Sequence, residues 1–111
     1  MFHWRYIYSL GNNTYTLSLF IKKHIKVFGK VQGVGYRFWL QTFAIKYGVS
    51  GWVKNTTTGE VEALLVGEEE VITNLIEQCY MGPSESNVKY ILVDNFKGNC
   101  EIKSFEILST D

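Results

Sequence analysis

Residues 29–39 read GKVQGVGYRFW, and much of the chemistry this sequence can do is concentrated there. Gly29, Gly33 and Gly35 fall within seven positions, and Arg37 follows the last of them by two. Glycine reaches positive φ without a Cβ clash, so such a run lets several backbone N–H groups point into one concavity. A helix that starts at the end of the run adds unpaired donors and a partial positive charge. Arg37 brings a planar fork that grips a phosphate or carboxylate through two parallel hydrogen bonds. These residues fit an anion site; the alternative is a plain chain reversal with Arg37 at the surface. The stretch matches neither GxxxxGK(S/T) nor GxGxxG, so it is not a Walker loop or a dinucleotide fingerprint.

The second polar candidate is Asn55, in GWVKNTTTG. At the end of a strand an Asn amide holds a water or caps the turn that follows, and the turn role is the commoner use. Asn12-Asn13-Thr14 and Asn55-Thr56-Thr57 also match glycosylation sequons, a pattern with many chance occurrences.

The acids are missing from the same half of the chain. No Asp or Glu precedes Glu60, so residues 1–59 carry eight Lys and Arg, or +8. Residues 60–111 carry 3 Lys against 11 acids, or −8. Either the halves interleave in space as a folded dipole, or the first half builds a site of its own. Such a site has no carboxylate from its own stretch; it favours an anion and lacks a ready general base.

The elements that must position these residues follow from periodicity. Ile25 and Val27 alternate with His24 and Lys26, which predicts a half-buried strand ending at Gly29. Beyond the glycine loop, Tyr36, Leu40, Phe43, Ala44 and Tyr47 recur at helical spacing, and Gly48 supplies a C-terminal stop. Val49–Asn55 and Glu60–Val66 read as strands joined by a tight turn with Gly59 as its glycine. Glu68, Glu69 and Glu70 open a second helix, whose apolar stripe is Val71, Ile72, Leu75, Ile76 and Cys79 and which stops at Gly82-Pro83. Val88–Val93 is the next strand, and Lys103–Leu108 closes the chain as a short one. The order is β-α-β-β-α-β plus a final strand. It predicts an α+β, ferredoxin-like sandwich: an antiparallel sheet of four to five strands with both helices on one face.

The 111 residues fit one domain, and their 46% hydrophobic and 20% charged content is that of a globular chain. A net charge of zero argues against strong non-specific nucleic-acid binding, and no apolar run is long enough to span a membrane. Cys79 and Cys100 match no metal spacing, so we read them as free thiols in a reducing compartment; nothing supports a disulfide between them. Residues 1–20 form an aromatic-rich extension without the features of a signal peptide. An added strand or hairpin, a disordered arm and a mis-assigned start all fit it. His24 is read as an exposed strand residue, Trp39 and Trp52 as core or rim, and Lys22 and Lys23 as a solvated strand end.

Taken together, VFGKVQGVGYRFW and GVSGWVKNTTTGEVEA, with 18 positions from Arg37 to Asn55, closely resemble the two signature motifs of acylphosphatases. The resemblance runs from about Ile21 to Leu108 and leaves the extension outside, which divides the chain into 1–20 and 21–111. It implies hydrolysis of the carboxyl-phosphate bond of acyl phosphates to a carboxylate and inorganic phosphate. By that resemblance Arg37 binds the phosphoryl group, and backbone amides of Gln32, Gly33, Val34, Gly35, Tyr36 and Arg37 cradle its oxygens. Asn55 positions the attacking water, Thr56 helps fix Asn55, and Gly29 shapes the start of the loop. It further implies no metal, no cofactor and no phosphoenzyme. The implied partner is a small acyl phosphate, with inorganic phosphate or sulfate as a competing anion. No nucleic-acid or membrane partner follows, and the implied protein is a cytoplasmic monomer. Thr58 stands where many relatives have an acid, and SFEILSTD lacks the basic or aromatic ending of some of them. Two other readings share this layout, an RNA-binding ferredoxin-like module and a catalytically silent acylphosphatase-like domain. The first lacks an aromatic RNP-type run, and the second is disfavoured by the presence of both Arg37 and Asn55.

Overall fold

The computed structural model describes residues 5–10, 13–18, 20–99 and 101–111. Its elements are β1 (Arg5–Leu10), β2 (Asn13–Ser18), β3 (Phe20–Lys30), α1 (Tyr36–Lys46), β4 (Ser50–Asn55), β5 (Val61–Glu68), α2 (Glu69–Cys79), β6 (Asn87–Asn95) and β7 (Phe105–Ile107). From β3 onward the expected β-α-β-β-α-β order and closing strand are present. In the extension, β1 and β2 pair antiparallel from Arg5↔Ser18 to Leu10↔Asn13, forming a two-stranded sheet of their own.

The main sheet has the strand order β6-β3-β5-β4-β7. Its first four strands are antiparallel, but β7 runs parallel to β4, with Gly51↔Phe105 and Val53↔Ile107 in register. The sheet is therefore mixed rather than wholly antiparallel. β6 lies at one edge of the sheet and β7 at the other, running in the direction of β4. β3 and β6 are longer than alternation alone suggests. β3 is an interior strand paired on both sides, so its ladder continues past the residues with a clear pattern.

One face of the sheet carries the core. Ile25, Val27, Val53, Ala63 and Leu65 point toward Leu40 and Ala44 of α1 and toward Ile72 and Leu75 of α2. All nine are at most 1% exposed, and each large aliphatic side chain contributes about 1.5–3 kcal/mol by leaving water. Cys79 joins this core as a free thiol, and Cys100 lies outside the described residues.

Among the described residues the opposite face has no helix. Leu64 is buried there, between its cross-strand neighbours His24 and Trp52. His24 is half-buried and bonded to Glu62 at 2.6 Å, with its ring edge-on to Trp52. Lys54 lies over the Trp52 ring and pairs with Asp111 at 2.8 Å. Lys22 and Lys23 bond to Gly98 O and Asn95 Oδ1 beside the end of β6. Basic residues of the first half thus meet acids of the second, as interleaved halves require.

Candidate active site

Between β3 and α1 the chain turns through residues 31–35. Gly33 and Gly35 have φ of +73° and +80°, the left-handed region that favours glycine. A Cβ at either position would meet nothing within 4 Å, so backbone conformation rather than space demands glycine there. Gly29 differs. It sits at a register shift between β3 and β6 with φ +132°, and a Cβ would lie 2.2 Å from Asn87 O. The loop therefore starts where two backbones are pressed together.

Gly35 is the N-cap of α1, with no side-chain capping bond and no acid in the first turn. The first backbone bond onto it is Trp39 N–H to Gly35 O at 3.0 Å. The amides ahead of Trp39 are left without intrahelical partners, as at any helix start. Val31, buried, holds one end of the loop, and Tyr36 the other. The Tyr36 ring lies in the core and its hydroxyl donates to Cys79 O at 2.5 Å. Burial, with added repulsion from Cys79, pushes the Tyr36 hydroxyl pKa far above the ordinary phenol range. Burial likewise pushes the Cys79 thiol up to about 12. Neither group is poised for proton transfer near neutrality; both anchor the helix that presents Arg37.

Arg37 is half-exposed on the first turn of α1, and among the described residues no carboxylate pairs with it. It borders a cavity of about 230 Å³ with Val31, Gly33, Gly35, Tyr36, Phe38, Asn55 and Ile107. Among the described residues no acid lines that cavity. Arg37 and Asn55, expected as partners, are thus brought to one pocket with two of the loop glycines. Phe38 and Ile107 are not marked as site residues by the sequence; at 70% and 39% exposed they form an apolar rim.

Asn55 ends β4 on the helix-covered side, in register with Val61. Its Oδ1 is buried and has no hydrogen-bond partner among the described residues. That oxygen therefore does not cap the turn after it, the use that the sequence favoured. Thr56 fixes the turn instead: its N–H donates to Glu60 O at 3.0 Å, and its hydroxyl oxygen accepts from Glu60 N–H at 3.1 Å. The Thr56 hydroxyl also approaches Glu60 Oε2 at 3.2 Å. Hydrogen bonding from the Thr58 hydroxyl, then from the backbone of Glu60 itself and from Thr56, with attraction from Lys26, holds the Glu60 carboxyl below the usual carboxylate range. Glu60 stands behind the turn rather than in the pocket lining.

Gln32 was expected to act through its backbone alone. Its side chain does more, donating from Nε2 to Thr56 O and to Glu60 O, both at 2.8 Å. His24, Trp39 and Trp52 lie outside the pocket lining.

The model of the family described as acylphosphatase matches residues 23–107. An acylphosphatase of Rhodopseudomonas palustris (strain BisB5) is 46% identical over 72 residues, which cover 65% of this chain and 73% of that one. The crystal structure of acylphosphatase from Bacillus subtilis superposes with a TM-score of 0.76 at 34% identity, covering 81% of this chain and 99% of that one. Full-length HypF, in a phosphate- and nucleotide-bound form, contains a similar unit. It superposes with a TM-score of 0.75 at 33% identity, covering 83% of this chain but 12% of that one. No helix among the described residues is long and apolar enough to cross a membrane.

Proposed function

This chain belongs to the acylphosphatase family, and from that premise we propose that it hydrolyses acyl phosphates by direct attack of a water held by Asn55. The phosphoryl group enters the glycine loop, where amides of the 32–37 segment and the Arg37 fork receive its oxygens. Phosphoryl transfer passes through a loose transition state, so catalysis is mostly positioning and charge stabilisation. Loop amides and Arg37 supply the charge, preorganised and without a carboxylate in the lining to oppose them.

Asn55 supplies the positioning. Its free Oδ1 accepts one O–H of the water and aims the oxygen lone pair at phosphorus. As the new P–O bond forms, the bond from phosphorus to the acyl oxygen breaks, and its electron pair leaves on the carboxylate. A non-bridging phosphoryl oxygen takes the proton released by the water. The products are a carboxylate and inorganic phosphate, and no side-chain base is consumed. A carboxylate leaves readily, which is why positive potential and an oriented water suffice.

The observation that carries this reading is Asn55, whose buried Oδ1 has no partner among the described residues, lining the same pocket as Arg37 and the left-handed glycines. The test is hydrolysis of benzoyl phosphate and acetyl phosphate in EDTA, with inorganic phosphate or sulfate as competitor. Turnover with competitive inhibition is expected, and folded Arg37→Ala should lose about 10²–10³ in kcat or more. Full activity in Arg37→Ala would remove that residue from the mechanism. Salt-resistant RNA binding without phosphatase activity would sink the enzyme reading altogether.

A further inference from the structure

We infer that the Gln32 side chain is a positioning residue for this reaction, setting the distance between the phosphate cradle and the water held by Asn55. The inference rests on the roles proposed above for Arg37 and Asn55. The two halves of the site sit on separate connections. β3 stays paired with β5 as far as Val27↔Val61, and β4 with β5 as far as Asn55↔Val61. Past that point β3 continues against β6 only, up to Lys30↔Asn87, while β4 runs into the 56–60 turn. No sheet ladder therefore links the glycine loop to the turn that adjoins Asn55.

Gln32 spans that gap. One amide nitrogen donates both its protons, to Thr56 O and Glu60 O, each at 2.8 Å. Those two carbonyls form the neck of the turn, where Glu60 O also receives the Thr56 N–H. A side chain held by two donors from one planar group has little freedom left. Gln32 directly precedes Gly33 in the cradle, and Thr56 directly follows Asn55. Any drift of loop against turn changes the water-to-phosphorus distance, and displacement by about 1 Å costs up to roughly 10²-fold in rate. Binding of the phosphoryl group should be far less sensitive, because Arg37 and the loop amides travel together.

The experiment uses Gln32→Leu, which removes both donors, and Gln32→Glu, whose ionised carboxylate cannot donate and faces two carbonyls. Benzoyl phosphate turnover, inhibition by inorganic phosphate and thermal unfolding are measured on each. We expect kcat to fall by about 10–100-fold in Gln32→Leu and further in Gln32→Glu. The phosphate inhibition constant of Gln32→Leu should stay within about 3-fold of the parent, since its receptor is intact. In the Asn55→Ala background, Gln32→Leu should cost nothing more in kcat, because a residue acting through Asn55 has nothing left to position. Full additivity in that double variant overturns the inference. So does parallel loss of kcat, phosphate affinity and thermal stability, which marks a merely structural residue. Parent-like turnover in Asn55→Ala instead defeats the underlying site reading, and parent-like turnover in Gln32→Leu alone defeats only this inference.

Discussion

Replacing Asn55 by alanine should make the protein less active and no less stable, an unusual pairing for a half-buried residue. A buried carbonyl oxygen without a partner costs about 1–3 kcal/mol relative to a satisfied one. Asn55 Oδ1 is in that position in the described structure. Asn55→Ala removes that oxygen and breaks no protein hydrogen bond made by it. A bound water recovers part of the penalty in solution, so we expect a net gain of about 0–2 kcal/mol. For a domain of this size each kcal/mol moves Tm by about 4–8 °C. Turnover should move the other way, by about 10²–10³ in kcat, the loss typical of one preorganised polar group at a reaction centre. Inhibition by inorganic phosphate should persist, because the cradle and Arg37 remain. The assays are loss of benzoyl phosphate under saturating conditions and thermal unfolding followed by circular dichroism. A fall in stability of more than about 1 kcal/mol with turnover retained would show that Asn55 is a structural turn residue, and the reasoning from its orphaned oxygen would fail.

Other expectations follow from the same geometry. Gly29→Ala should destabilise far more than Gly35→Ala, because its Cβ would sit 2.2 Å from Asn87 O while a Cβ at Gly35 meets nothing within 4 Å; urea unfolding separates the two, with about 1–2 kcal/mol expected for the φ-only change. Gly35→Ala should still weaken phosphate inhibition, which competition assays read directly. Phe38→Ala should raise KM for benzoyl phosphate more than for acetyl phosphate, because it strips an apolar rim that only the larger acyl group reaches; equal changes would refute that placement. Stability should also decline in alkali. The Cys79 thiol is raised from 9.0 to about 12 in the folded state, so its contribution is complete below pH 9 and is lost as pH rises toward 12. The slope is about 1.4 kcal/mol per pH unit. Tyr36, raised in the same direction, steepens the decline above pH 10. Urea midpoints at pH 8 and 10 on the parent and on Cys79→Ala test this, the variant being the flatter.

The parts of this molecule legible in the sequence are those encoded locally. Alternation at Ile25 and Val27 and the helical spacing of Leu40 and Ala44 state a face, and burial at those positions follows. Gly33 and Gly35 state a conformation, and both adopt positive φ. The parallel pairing of β7 was not legible, because a strand's direction depends on the path of the connection before it. The Gln32 bridge was hidden for a similar reason: its acceptors lie 24 and 28 residues away, and both are carbonyls that any residue type provides. Asn55 was legible as a polar residue at a strand end, to which the resemblance gives a water-holding role, but the state of its side-chain oxygen was not legible. Only the tertiary arrangement shows that Thr56 has taken the turn-fixing bonds and left Asn55 Oδ1 over. In the extension, the described residues 5–10 and 13–18 pair as two antiparallel strands.

If the loop amides receive the phosphoryl group as proposed, the receptor is main chain and has an uneven mutational target. Side-chain substitutions cannot delete a backbone amide, apart from proline, which carries no N–H. Positions 33 and 35 have open space around a would-be Cβ, so what selection guards there is handedness rather than size. A D-alanine placed at Gly35 by chemical synthesis would keep the φ of +80° and every amide, whereas the L-isomer opposes it. Random mutation can therefore silence the site through few side chains, Arg37 and Asn55 foremost. Most other damage must come by bending the chain out of shape, and drift at 32–36 should be punished for conformation long before it is punished for chemistry.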